Sequence, residues 1–233
     1  MASRAATFHG GYSGALLAPL RYVAYLTLLL AGLLLGAWVI DAFLVFKVWS
    51  DGMQPLEVAI ATTAAAVNEP YGVPLLRAQG IAWANGLYHA LFVASAIEQI
   101  ITADPQQLAP FDQTVQRFFV SLLPALQVAM LATKLYGLRL ALWLSAIAPI
   151  ALGYAVGMID GLVERSIRRY SGGRESATLY HRAKYAIAGV VGLWLFAYVC
   201  VPLTFELQWG SWAAAAVIAV LSRLQWKYYK KYV

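Results

Sequence analysis

The stretch Asp160-Gly-Leu-Val-Glu-Arg165-Ser-Ile-Arg168-Arg169-Tyr-Ser-Gly-Gly-Arg174-Glu-Ser-Ala-Thr-Leu-Tyr-His-Arg182-Ala-Lys184 joins two long apolar runs. It holds six of the chain's 17 Lys and Arg residues: Arg165, Arg168, Arg169, Arg174, Arg182 and Lys184. Short loops rich in Lys and Arg stay on the cytoplasmic side of a membrane, so this segment orients everything around it.

The runs on either side need a membrane. Of 233 residues, 61% are hydrophobic and 12% charged, about half the charge of an average soluble domain; the mean hydropathy is +0.66. Several apolar runs reach the roughly 18–20 residues that cross a hydrocarbon layer. The expected class is all-α: a polytopic helical membrane protein. The net charge of +6 is divided between loops and tail, which fits orientation and contact with anionic lipid headgroups better than nucleic-acid binding. Cys200 is the one cysteine, which excludes an intrachain disulfide and a Cys-based metal site, and His9, His89 and His181 show no ligand spacing.

Working outward, residues 1–21 read as a cytoplasmic leader and 22–46 as a first span. Its uncharged run Tyr22–Ile40 exceeds the roughly 7–15 residues of a cleavable signal core, so it reads as an uncleaved anchor. Gly32-Leu-Leu-Leu-Gly36 is a small-xxx-small pattern that allows close helix packing. Residues 47–117 carry Lys47, Arg77 and Arg117 against Asp51, Glu57, Glu69, Glu98, Asp104 and Asp112, a balance suited to the outer face. Turn signals at Asn68-Glu-Pro70 and Gly72-Val-Pro74 separate a helix at Pro55–Val67 from one at Leu75–Thr102. An apolar run follows at Phe118–Leu135, then a break at Tyr136-Gly137, then a span at 138–160.

Parity then limits the topology. The 161–184 hairpin, the Arg-containing leader and the Lys-rich tail 227–233 all favour the inside, so an N-in/C-in chain crosses an even number of times. Four crossings are favoured: 22–46, 138–160, 185–206 and 212–226, with an outer turn at 207–211. The six-span alternative embeds 80–97 and 118–135, which otherwise belong to a helical extracytoplasmic region, 47–137. Six spans would place the acidic 98–117 loop inside, against the charge rule. Tyr22, Tyr25, Trp49, Trp209, Trp212, Trp226, Tyr228, Tyr229 and Tyr232 fall where interfacial anchors belong.

Nothing breaks the helix after Ile159 before Ser171-Gly-Gly173, so a helical hairpin should project about 15 Å beyond the bilayer. Glu164 and Arg168 are spaced for an i,i+4 pair. Three roles compete for the hairpin. It could dock a protein, clasp lipid phosphates, or belong to an enzyme, since Asp160-Gly-x-x-Glu-Arg165 is similar to the opening of the CDP-alcohol phosphotransferase motif. That chemistry requires several carboxylates around divalent metal. Position 157 is Gly and no aspartate follows through Lys184, so no catalytic, cofactor or metal residues are assigned. Asp41, Asp160 and Glu206 lie near span ends and read as interfacial; Lys134 with Gln127 could line a polar cavity, which keeps a channel, transporter or exclusion role open.

Asp160-Gly-Leu-Val-Glu-Arg, Ser171-Gly-Gly-Arg-Glu-Ser and Tyr180-His-Arg-Ala-Lys184, with Arg139-Leu-Ala-Leu and the terminal Lys-Lys-Tyr-Val233, resemble the integrating conjugative element membrane protein family. The resemblance covers most of 118–233. It implies a bacterial inner-membrane, non-enzymatic accessory of conjugative DNA transfer, linked to type IV secretion and a TraD-type coupling ATPase. The expected partners are that ATPase or another transfer subunit, anionic lipids and possible further copies of the chain, without direct DNA contact. The expected contact residues are Arg165, Arg168, Arg169, Arg174, Arg182 and Lys184.

Overall fold

A computed structural model describes residues 11–67, 74–105, 109–171, 177–202 and 206–229. Among them there are helices and no strands: α1 Gly11–Phe43, α2 Gln54–Val67, α3 Pro74–Tyr88, α4 Ile97–Thr102, α5 Pro110–Ser121, α6 Leu123–Trp143, α7 Ile147–Tyr170, α8 Ala177–Cys200 and α9 Leu207–Lys227. Three helical stretches are long and apolar enough to cross a membrane: Pro19–Val48, Leu123–Tyr170 and Thr178–Cys200.

Several boundaries differ from those the sequence suggested, each for a local reason. The helix containing the first span starts at Gly11, inside the expected leader. The expected Leu75–Thr102 helix is interrupted, because a π turn at His89–Val93 leads to Ala96 in the left-handed region (φ 60°). The apolar run 118–135 is split at Leu122, and Pro124 opens the next helix, where its missing N–H costs nothing. No break occurs at Tyr136-Gly137. The helix continues to Trp143 and tightens into a 3₁₀ turn at Leu144–Ala146. Pro149 explains that position: it cannot donate to the Ser145 carbonyl, and its ring crowds it. The expected turn at Gln208–Ser211 is the first turn of α9, with Ser211 Oγ bonded to the Leu207 carbonyl at 2.7 Å.

Helix α6 is the hub of one half, packed by α1, α2, α3 and α8. Gly137 makes this possible, since a Cβ there would lie 2.6 Å from the Ala84 backbone of α3. Leu33, Ala37, Tyr136, Tyr198, Val199 and Cys200 form one apolar cluster where α1, α6 and α8 meet. Val45, Leu56, Ala59, Val128 and Leu135 form a second with α2.

The other half is built on α9. It packs chiefly on α7 and also on α8, so the two arms of the basic hairpin are bridged by a third helix instead of closing on each other. Gly153, Gly157 and Gly161 lie one turn apart on α7. Any Cβ there would strike the carbonyl oxygens of Ala215, Ala219 and Arg223 in turn. The register advances by four residues on both helices, so α7 and α9 run parallel. Small residues at this spacing let backbones approach closely. The sequence pattern Gly32–Gly36 does this only in part. A Cβ at Gly36 would meet Cys200 and Phe196 at 3.7 Å, whereas one at Gly32 would meet nothing within 4 Å, so Gly32 packs against no helix among the described residues.

Candidate functional site

The parallel register of α7 and α9 brings their C-terminal turns to one end of the molecule, beside the start of α8. Asp160 and Glu164 are one turn apart on α7; Arg223 and Lys227 are one turn apart on α9. With Gly161 letting the backbones close, the side chains interlock. Arg223 Nε reaches Asp160 Oδ2 at 3.0 Å, its Nη2 also bonds Glu164 Oε1, and Lys227 Nζ meets Glu164 Oε2 at 2.7 Å. Glu164 is thus paired across to α9, not to Arg168 as the i,i+4 spacing suggested. Asp160 and Glu164, the two acids that resembled a phosphotransferase motif, serve as ion-pair partners. These half-exposed pairs are each worth little alone, but together they fix the helix register.

An aromatic layer caps them. Directly after α9, the Tyr229 ring lies 5.2 Å from the Arg165 guanidinium and the Tyr228 ring 4.4 Å from that of Arg168. Tyr229 also touches Trp226 (5.3 Å between centroids) and Tyr180 of α8 (5.6 Å). Trp226 Nε1 donates to the Tyr154 hydroxyl at 3.1 Å, and Ser222 Oγ donates to the Tyr154 carbonyl at 2.8 Å. Of the contact residues expected from sequence, Arg165 and Arg168 are therefore stacked within the chain's own end. Arg169, Arg182 and Lys184 are exposed, and Arg174 lies outside the described residues.

A second charged constellation was read quite differently from sequence. Asp41 was expected at an interface, yet it is 1% exposed, and Arg139 is 2% exposed. Arg139 Nη1 donates to the Tyr198 carbonyl at 2.9 Å and to that of Val201, and its guanidinium lies 5.4 Å from the Tyr198 ring. Arg139 thereby ties α6 to the end of α8. Asp41, of opposite charge, is buried in the same region of the fold, and its Oδ1 makes no hydrogen bond among the described residues. A charge within an apolar helix must be paired to be tolerated; that rule was the available signal, although no spacing named the partner. Nearby, Trp38 Nε1 donates to Thr133 Oγ1 at 3.0 Å and the Tyr136 hydroxyl donates to the Leu30 carbonyl at 2.8 Å. Lys134 and Gln127, candidates for a polar cavity, do not form one: Lys134 Nζ stands 4.3 Å over the Tyr88 ring, and Gln127 is exposed.

Fold and site together define an all-helical protein with membrane-spanning candidates, two opposite charges, Asp41 and Arg139, buried at its hub and one basic, aromatic end. The particular family follows from a match over residues 62–230, which covers both constellations except Asp41: the chain belongs to the DtrJ-like family, described as IncC plasmid conjugative DNA transfer protein DtrJ-like. A conjugative role is thereby shared with the resemblance carried by the Asp160–Lys184 motif, although the matched family is described through a plasmid protein and not an integrating element. No curated protein and no solved structure matches the chain.

Proposed function

We propose that the chain is a non-enzymatic inner-membrane component of a conjugative DNA-transfer apparatus of the type IV secretion kind, in a plasmid or an integrating element. Its basic end docks an acidic surface of the TraD-type coupling ATPase or of a channel subunit. The observation that carries this reading is the built character of that end. Ion pairs and stacked tyrosines hold α7, α8 and α9 together, leaving Arg169 and Lys184 projecting from a rigid base. Family membership supplies the process. The positive-inside rule supplies the compartment.

The proposed topology has four crossings with both chain ends inside: the first part of Pro19–Val48, then α7, α8 and α9. Helix α9 lacks the apolarity of the other three, but Ser211, Ser222 and Gln225 are buried, and α9 is in register with α7 along its length. A helix so packed shares the layer of its neighbours. Leu123–Tyr170 has 48 residues, about 72 Å at 1.5 Å each, more than twice a hydrocarbon core. One crossing therefore uses α7, and α6 stands beyond the outer face, wrapped by α1–α3.

The structural use of Asp160 and Glu164 as ion-pair partners supports the non-enzymatic reading, and that of Asp41 and Arg139 weighs against a conducting role. The test is the double variant Arg169→Glu/Lys184→Glu in donor cells. Reversing two interfacial charges costs several kcal/mol, so transfer should fall about 100-fold or more with the protein still in the membrane fraction. Normal transfer would reject docking through this end.

A further inference from the structure

A crevice on the seam between α8 and α9 is lined by none of the ion-paired or ring-stacked residues. Leu179, Ala183 and Ala186 recur along α8 and Leu221 and Leu224 face them from α9, with Arg182 as the lone polar lining residue; the volume is about 180 Å³. Compact ligands take pockets of roughly 300–1,000 Å³ with several converging polar groups. This crevice is smaller, aliphatic and bears one cation, so it suits part of a hydrocarbon chain attached to an anion.

The placement of Arg182 agrees. Lys184, two residues on, points about 200° away around the helix, so the two cations serve opposite faces. The acids at this end, Asp160 and Glu164, are engaged by Arg223 and Lys227, and among the described residues no carboxylate forms an ion pair with Arg182. Tyr180, Trp226 and Tyr229 form the neighbouring aromatic layer, and such rings favour headgroup depth. Arg182 therefore stands in the headgroup layer, midway along a crevice that reaches from Leu179 on its cytoplasmic side to Ala186 on its bilayer side. A guanidinium fork matches phosphate oxygens bidentately.

We infer that this seam binds an anionic phospholipid, its phosphate on Arg182 and one acyl chain along Leu179, Ala183, Ala186, Leu221 and Leu224. The site rests on the membrane placement proposed above but is separate from the docking surface at Arg169 and Lys184. The full chain, purified in detergent, is mixed with dioleoylphosphatidylglycerol or dioleoylphosphatidylcholine, and retained lipid is counted by native mass spectrometry. Phosphatidylglycerol should be retained about tenfold more, the worth of one charge-assisted contact. Arg182→Gln and the crevice-filling Ala186→Leu should each reduce it to the phosphatidylcholine level, Arg182→Lys to an intermediate value, while Arg169→Gln leaves it unchanged. Glycerol 3-phosphate should not compete. Equal retention of the two lipids, undiminished retention in Arg182→Gln, or full competition by glycerol 3-phosphate overturns the inference. So does an Ala186→Leu variant that converts a dimer to a monomer, because a second copy would then occupy the seam. A chain missing from the membrane fraction fails the placement itself, whereas one in the membrane without lipid preference fails only the lipid site.

Discussion

The two halves of the Leu123–Tyr170 rod each carry a long apolar stretch and have opposite surroundings. In α6 nine residues are buried, among them Val128, Leu135, Tyr136 and the charged Arg139; in α7 only Gly157 and Gly161 are. The first half is a core helix covered by protein. The second presents Leu152, Val156, Ile159 and Val163 outward and buries a strip with no side chains. Outward-facing large apolar residues in such number are expected against lipid tails, not water. The comparison teaches that apolarity alone does not say what buries a helix: in α6 the covering material is encoded by α1–α3 and α8, whereas the large apolar side chains of α7 are left uncovered by the described residues, as the proposed four-crossing topology requires of a lipid-facing helix.

The largest effect should come from the hub. Arg139→Ala leaves Asp41 buried without its counter-charge and removes the donor from the Tyr198 and Val201 carbonyls, so it should cost about 3–5 kcal/mol. Denaturant unfolding in detergent, followed by tryptophan fluorescence, measures it. The double variant Asp41→Leu/Arg139→Met should recover most of the loss. A single variant within 1 kcal/mol of wild type, an order-of-magnitude threshold well below the buried-pair cost, would remove α6 from the centre of the fold.

Next come matched truncations in the two halves. Leu135→Ala, at a site 2% exposed, should cost about 2–5 kcal/mol by the same measurement. Leu152→Ala, at a site 54% exposed, should stay within about 0.5 kcal/mol. Equal costs would erase the contrast. Leu152→Arg sharpens it. In a lipid-facing helix the charge should oppose insertion by about 2.5–3.5 kcal/mol, read from the membrane-integrated fraction; unchanged integration would place α7 outside the bilayer.

Gly157→Leu probes the strip that replaces side-chain packing in α7. Its Cβ meets the Ala219 carbonyl, which is backbone and cannot rotate away. Overpacking of this kind costs about 1–3 kcal/mol and should release α9. Crosslinking between cysteines placed at 160 and 223, whose native side chains already meet across the two helices, would then fall, while Gly32→Leu, facing open space, should change neither crosslinking nor stability.

Local features were legible in the sequence. The Gln54–Val67 helix and the continuation of α7 to Tyr170 follow from apolar spacing bounded by turn residues. Glycine misled twice because its two uses look alike in one dimension. At Gly137 it reads as a break, yet its missing Cβ admits α3 against an unbroken helix. Gly153, Gly157 and Gly161 read as composition, yet they set the register of α9. Pairings over long separations left no local trace: Asp41 and Arg139 stand 98 positions apart, and nothing near either residue names the other. Tyr228 and Tyr229 suit an interfacial belt by type, and their stacking on Arg165 and Arg168 depends on how α9 packs beside α7. Hence the hairpin arginines, alike in sequence, divide in space into stacked and projecting groups.

That division yields the smallest expected effect and the finest test of the basic end. Tyr229→Leu removes the ring over Arg165 while keeping an apolar body against Trp226 and Tyr180. A cation–π contact at a partly exposed site is worth about 0.5–1 kcal/mol, so global unfolding should barely move. Local order should respond more, because the ring joins α7, α8 and α9 at one point. Amide exchange over 165–171 and 177–184 should quicken, and exchange in α6 should stay unchanged. Tyr229→Phe keeps the π face and should behave as wild type. If Phe and Leu loosen the end equally, the hydroxyl is what matters and the stacked ring is not the clamp. If neither does, the ion pairs of Arg223 and Lys227 hold the three helices alone, and the end needs no aromatic lock to present Arg169 and Lys184.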